Sequence, residues 1–324
     1  MRKIANSLSR PIFFSCIAPI VLSKPQNNKN IILIVTGALV YSGLRSYILF
    51  MESTQKGYAL ITGGGSGLGL EMAKLLAARS YPLILCGRRK EVLASGAQEC
   101  LTCGAPKVKI IPCDLVEEGA IERLAEEVSA LCTEEDTPLE ILVNNAGRGL
   151  FGPVIKQNKD DLAAMIKLNI ESLANMCRLF VPMLTDRGKG NVLNVGSLAG
   201  GQPMPFFAGY GATKSFVHTF TLALRAELYG SGVSVTLLEP GFIRTGFDVA
   251  AGIESQKYRS FSFRKGMSAD RVARSAVRAL LAGKARVIPG FGNQISAFFG
   301  ALLSDTFLAT IMRISVMGLT GKKE

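Results

Sequence analysis

The chain has 324 residues, 37 Lys and Arg against 25 Asp and Glu for a net charge of +12, and 48% hydrophobic residues. That hydrophobic content excludes a disordered chain, and 34 Gly and 13 Pro without a period exclude collagen-like sequence. Seven cysteines, an odd number, and one histidine, His218, argue against a secreted disulfide framework, a His-rich metal centre and a Ser-His-Asp triad.

Residues 1–51 form a segment of their own. They carry Arg2, Lys3, Arg10, Lys24, Lys29 and Arg45 and no acid before Glu52, so half of the net positive charge lies here. Residues 11–22 are apolar, short and interrupted by Pro19, as in a signal h-region or an interfacial segment. Residues 31–51 are long enough to span a bilayer, with Arg45 placed to snorkel. A cleaved targeting peptide is the alternative, but no A-x-A site follows the first stretch, and the expectation is a retained N-terminal membrane anchor. The positive-inside rule would send the rest of the chain across the membrane, whereas a hairpin or a membrane-surface N-terminus would leave it in the cytosol. The expected localisation is therefore membrane-associated, with a cytosolic main domain: endomembrane such as endoplasmic reticulum in a eukaryote, inner membrane in a bacterium. No aromatic-interleaved basic stripe points to nucleic acid.

From Gly57 the pattern alternates. Strands are predicted at 58–62, 83–86, 108–113, 139–143, 192–195 and 233–238. Helices are predicted after Gly69 to Ala78, at 91–103, 117–132, 168–184 and 212–229. This alternation predicts an α/β protein with a parallel sheet covered on both faces. Ligands of such sheets lie beyond the carboxyl ends of the strands.

The first strand runs into Thr62, Gly63, Gly64, Gly65, Ser66, Gly67, Leu68 and Gly69, which open the first helix. Glycines there let the backbone approach a pyrophosphate at the helix N-terminus. An acid closing the second strand would bind the ribose 2′-hydroxyl of NAD. Here the stretch reads Cys86-Gly87-Arg88-Arg89. Arg88 and Arg89 suit a 2′-phosphate, so the expected cofactor is NADP(H). Cys100 and Cys103 make a single CxxC with no second pair, and no metal is expected.

In that setting, residues 58–289 resemble the short-chain dehydrogenase/reductases. Thr62–Gly69 is similar to that family's TGxxxGxG, Asp114-Leu115 to its adenine-contacting acid and the residue after it, and Asn144-Asn145-Ala146-Gly147 to its NNAG. Asn169, Ser197, Tyr210 and Lys214 fall at its catalytic positions, and Pro240-Gly241 with Thr245 at its nicotinamide carboxamide segment. The resemblance implies a Rossmann-type doubly wound sheet in one catalytic domain (57–290), preceded by the anchor segment (1–56) and followed by an apolar extension (291–324). Segments 239–247 and 287–293 resemble a membrane-associated branch near 3-oxoacyl-CoA and ketosphinganine reductases. Family members commonly pair through the helices near Leu168 and Ala212, so a homo-oligomer is expected.

Tyr210 and Lys214, four apart on a helix, share one face. A phenol of pKa about 10 needs positive charge nearby to serve as acid and base at neutral pH. Tyr210 is then the proton donor to the developing alkoxide, and Ser197 the hydrogen-bond donor to the same oxygen. The resemblance assigns Lys214 also to the nicotinamide ribose, and Asn169 to a water linking Lys214 with solvent. His218 reads as a packing or interface residue.

Residues 246–267 are expected to be the variable lid, and its aromatics (Phe247, Tyr258, Phe261, Phe263) suggest an apolar substrate. The stretch 295–319, interrupted by Asp305 and Arg313, is expected to be an interfacial amphipathic helix or a dimer contact. The leading expectation is an NADP(H)-dependent oxidoreductase that reduces a small-molecule or lipid carbonyl compound or, in the other direction, oxidises the alcohol. The alternatives are a 3-oxoacyl or ketosphinganine-type reductase and, in another class, a non-catalytic NADP(H)-binding scaffold.

Overall fold

The computed structural model describes residues 56–320. The apolar stretches 11–22 and 31–51, and the anchor expected from them, lie outside the described residues.

Short apolar runs become strands: β1 (Tyr58–Thr62), β2 (Leu83–Gly87), β3 (Val108–Pro112), β4 (Leu139–Asn144), β5 (Gly190–Val195) and β6 (Val233–Leu238). A minor ladder joins β7 (Ile243–Arg244) to β8 (Met267–Ser268), and β9 (Arg286–Val287) completes the main sheet. Its order is β3-β2-β1-β4-β5-β6-β9, with every neighbouring pair parallel. Chain order reverses beside β1, which pairs with β2 through Ile61↔Leu85 and with β4 through Ile61↔Val143. The crevice at the carboxyl ends of β1 and β4 is thus the switch point where such sheets take ligands.

The helices are α1 (Gly67–Ala77), α2 (Lys90–Thr102), α3 (Ala120–Glu134), α4 (Lys159–Ile166), α5 (Leu173–Thr185) and α6 (Ala208–Glu227). They continue with α7 (Phe247–Ala250), α8 (Gln256–Lys265), α9 (Ala269–Leu281), α10 (Phe291–Leu302) and α11 (Asp305–Thr320). Alternate residues of β1 feed two cores, because successive strand side chains point to opposite faces. Ala59 and Ile61 join Met72 and Leu76 of α1 and Val272, Ala276 and Leu280 of α9. Tyr58 and Leu60 join Leu124 of α3, Phe180 of α5 and Val217 of α6. Burial on both faces explains why β1 reads as an unbroken apolar run.

Three features depart from expectation. The helix expected at 168–184 begins earlier, at Lys159, where the Asn158 side chain accepts from the N–H groups of Asp160 and Asp161 (2.8 and 3.1 Å). Residues Lys167–Ser172, between α4 and α5, wind as a π-helix. Helix α9 and strand β9 were not anticipated; α9 packs on α1 through one apolar stripe and seats β9 beside β6.

The stretch 295–319 is not one interfacial helix. It forms most of α10 and α11, broken at Leu303–Ser304, and α11 packs on α8. Among the described residues no helix is long and apolar enough to cross a membrane. The expected membrane-associated localisation is corrected on that ground. The C-terminal apolar surface is used in part inside the fold, where Val316 is buried against Phe207 and Tyr258.

Candidate active site

The crevice begins at Thr62, which ends β1. Its hydroxyl accepts the N–H groups of Asn145 and Ala146, both at 3.0 Å, and Asn145 Nδ2 donates to the Thr62 carbonyl at 2.9 Å. The glycine loop and the Asn145–Gly147 turn are therefore one unit. Gly63 and Gly67 have φ of +63° and +55°, a region that favours glycine. A Cβ on Gly65 would meet the Val92 backbone at 3.1 Å, whereas one on Gly67 would meet only Thr245 Cγ2, at 3.9 Å. Ser66 makes no side-chain cap, which leaves the first N–H groups of α1 without a capping side chain, and only Thr245 lies close beside Gly67. That cradle fits a pyrophosphate.

Arg88 and Arg89 follow β2, are exposed, and form no salt bridge among the described residues. Asp114, beyond β3, is half-buried and accepts from Val116 N–H at 3.3 Å. The Leu115 carbonyl accepts from Ser172 at 2.7 Å, which ties the π turn to the end of β3.

The π turn aims Asn169 into the crevice. Its Nδ2 donates to the Arg148 carbonyl (2.9 Å) and to Thr213 Oγ1 (3.0 Å), and its Oδ1 accepts Arg148 N–H (3.0 Å). A Cβ on Gly147 would lie 3.1 Å from Asn169 Oδ1 and 3.5 Å from Lys214 Nζ, so all three converge. Lys214 is buried and donates to the Val195 carbonyl at 2.8 Å, at the end of β5. Burial lowers its pKa to about 8. Tyr210 sits in the first turn of α6, where burial pushes its phenol up to about 12 and a hydrogen bond with Ser197 acts the other way. Ser197, beyond β5, also accepts from Ala199 N–H at 3.1 Å. The Pro240 carbonyl accepts from Leu198 N–H at 3.1 Å, and Thr245 accepts from Phe247 N–H at 3.3 Å. Gly241 packs so closely on Asn293 that a Cβ there would stand 2.7 Å from its Oδ1.

Some residues of the site were missed by sequence reasoning. Arg148 and Val195 act through backbone atoms and Thr213 through its own hydroxyl, and no pattern advertises them. His218, expected at a packing or interface position, has its Nδ1 2.7 Å from Oε1 of the buried Glu239, which also pairs with Arg286. The carboxylate directly before Pro240-Gly241 was the available signal.

The family model for short chain dehydrogenase matches residues 57–255. The chain belongs to the short-chain dehydrogenase family. It is accordingly an oxidoreductase with a nicotinamide cofactor and a small-molecule substrate. Among curated short-chain dehydrogenase relatives, sulfoacetaldehyde reductase 2 of Chromohalobacter salexigens is 38% identical over 202 residues, 59% of this chain and 77% of the relative. A short-chain dehydrogenase from Sphingobium yanoikuyae in complex with NADPH superposes with a TM-score of 0.66 at 27% identity, covering 76% of this chain and 93% of that one. One from Burkholderia phymatum in complex with NAD gives 0.67 at 24% identity, covering 75% and 92%, and shares the fold. The branch of 3-oxoacyl-CoA and ketosphinganine reductases expected from the tail segments is not supported by these likenesses.

Proposed function

We propose that the protein uses NADPH to reduce the carbonyl group of an uncharged, apolar compound, with Tyr210 as the proton donor. The observation that carries this reading is the convergence of Tyr210, Lys214, Asn169 and Ser197 at the ends of β4 and β5. When bound, the reduced nicotinamide supplies the hydride that reaches the carbonyl carbon.

The chain's own residues do the rest. A phenol that burial pushes up to about 12 holds its proton through the neutral range, as an acid must. Tyr210 delivers that proton to the carbonyl oxygen as negative charge develops on it. Ser197 donates a hydrogen bond to the same oxygen. The Lys214 ammonium eases loss of the phenol's proton by opposing the charge left behind. Asn169 connects Lys214 through water to solvent, so Tyr210 can be reprotonated. The NADP(H) preference rests on Arg88 and Arg89 and on the lack of an acid at the end of β2.

Sulfoacetaldehyde, named for a relative, is small and anionic. The surroundings of Tyr210 suit it poorly: Phe207 and Phe247 stand against the ring, and nearby Arg148 is engaged by Asp161 at 2.9 Å. A lipidic or ring-bearing carbonyl fits those side chains better. Pairing of two copies through α5 and α6 follows the family habit and belongs to the same reading.

The test is NADPH oxidation by the purified protein across apolar ketones and aldehydes, beside Tyr210→Phe. The variant should bind NADPH and lose about a hundredfold to ten-thousandfold in turnover. Turnover undiminished in Tyr210→Phe defeats the mechanism, and NADPH binding without turnover in the wild type favours a scaffold that senses the cofactor.

A further inference from the structure

Three segments meet over Tyr210: residues 149–152, residues 204–207, and the lid from Phe247 to Tyr258. Phe151 N–H donates to the Ala251 carbonyl (2.9 Å) and Gly152 N–H to the Phe206 carbonyl (2.8 Å), so the first segment is stitched to both of the others. Phe206 holds φ at +66°, a strained conformation for a non-glycine residue. Such strain persists only where the surroundings over-determine it, and it gathers at ligand sites.

Phe247 is the residue of the lid that reaches the phenol, its ring centre 5.4 Å from that of Tyr210. It fits because residue 149 is glycine: a Cβ there would stand 2.5 Å from Phe247 Cζ. The lid is braced from outside by α11, where Ser255 donates to the Leu319 carbonyl (2.9 Å) and Lys257 to the Gly318 carbonyl (2.8 Å). Val316 and Leu319 complete the same apolar cluster.

We propose that Phe247 is the specificity-determining residue of the site, seated where the apolar body of the substrate must lie, and that the substrate class is uncharged ketones or aldehydes bearing a ring small enough to share the space with it. The inference rests on the carbonyl-reductase reading above. Three observations argue for an uncharged substrate. The rings around Tyr210 are apolar, Arg148 is neutralised by Asp161, and Asp248 adds negative charge beside Tyr258, whose phenol burial and Asp248 both push up. An anionic group beside Asp248 would meet repulsion, and the cation at the phenol, Lys214, is already bonded to the Val195 carbonyl and committed to Tyr210.

The experiment compares full-length wild type, Phe247→Ala, Phe247→Leu and Gly149→Ala with cyclohexanone, 2-tetralone and a small anionic aldehyde as probes. Phe247→Ala removes the ring, and Gly149→Ala forces it out of its present seat by a clash, so two independent changes alter the same space. Thermal melts and NADPH titration check folding of each variant. The expected result is a rise of at least about tenfold in the ratio of kcat/KM for 2-tetralone to that for cyclohexanone in Phe247→Ala, with a smaller rise in Phe247→Leu and a shifted ratio in Gly149→Ala. The wild type should prefer both ring ketones over the anionic aldehyde. Turnover with an unchanged ratio in every folded variant, or preference for the anion, overturns this inference alone. Absence of any Tyr210-dependent turnover in the wild type overturns the parent reading and this one with it.

Discussion

The Lys214 ammonium stands 5.9 Å from the centre of the Tyr210 ring, one turn away on α6. The pair is costly to hold. Burial moves Lys214 from 10.5 to about 8, which at about 1.4 kcal/mol per unit is roughly 3 kcal/mol against the charged form, partly offset by its bond to Val195. The sign follows from the depressed value. The penalty is complete below pH 8 and disappears as pH rises toward 10.5, where the unfolded chain also loses the proton. Lys214→Met should therefore be more stable than the wild type by about 1–3 kcal/mol at pH 7 in urea denaturation. The advantage should shrink by pH 9.5, and turnover should collapse at every pH. A gain independent of pH would mean that burial of the charge is not its source.

Arg88 and Arg89 supply the test of cofactor choice. Both are exposed at the end of β2, on the rim of the glycine cradle, and neither is tied up in a salt bridge among the described residues. Losing a charge-assisted contact with a 2′-phosphate costs about 1.5–3 kcal/mol. Arg88→Ala should raise Kd for NADPH about tenfold or more while NADH changes little, with Arg89→Ala acting in the same direction. An equal loss for both cofactors in fluorescence titration would refute the preference for NADP(H).

How much of this was legible in the sequence depends on how local each cause is. The run from Tyr58 to Gly69 declares a strand, a tight turn and a helix start within twelve residues, and the structure has all three. Tyr210 and Lys214 share a helix face by spacing alone. The π turn was hidden because Ser172 reaches the Leu115 carbonyl, a contact across 57 residues. Helix α9 was legible and overlooked: Val272, Ala273, Ala276, Val277 and Leu280 recur at helical spacing, with Arg271, Arg274 and Arg278 between them. The role of Gly149 appears only once Phe247, far along the chain, is placed against it. The interfacial role expected for 295–319 gives way for a related reason: apolar residues near the C-terminus cover a lid, a use that hydropathy does not distinguish from lipid contact.

Gly69 offers a sharper probe of the cradle than the glycines of positive φ. It lies within α1, where any residue is allowed by its backbone, yet a Cβ there would stand 2.3 Å from the Gly63 carbonyl oxygen and 2.6 Å from Asn145 Nδ2. Neither neighbour can retreat without pulling on Thr62, to which Asn145 is bonded. Gly69→Ala should lower stability by about 1–3 kcal/mol in thermal or urea melts and weaken NADPH binding as well. Normal stability with normal NADPH affinity would show that the loop and the Asn145 turn are not one unit.

Asn169 tests whether the π turn serves the site. Asn169 is buried, its bond to Thr213 Oγ1 is buried and its two bonds to Arg148 are partly so, and Asn169→Ala strands groups that water reaches poorly. The expected loss is about 1–3 kcal/mol of stability. Thr213→Val removes one of those bonds and should cost less, because the Arg148 contacts remain. The double variant should cost about 1 kcal/mol less than the sum of the two, the coupling of a bonded pair. If Asn169 also carries the water link to Lys214, its single variant should lose far more turnover than Thr213→Val at matched stability. Strictly additive stabilities would break the Asn169–Thr213 bond as a feature of the protein in solution, and equal turnover in the two variants would remove Asn169 from the proton path.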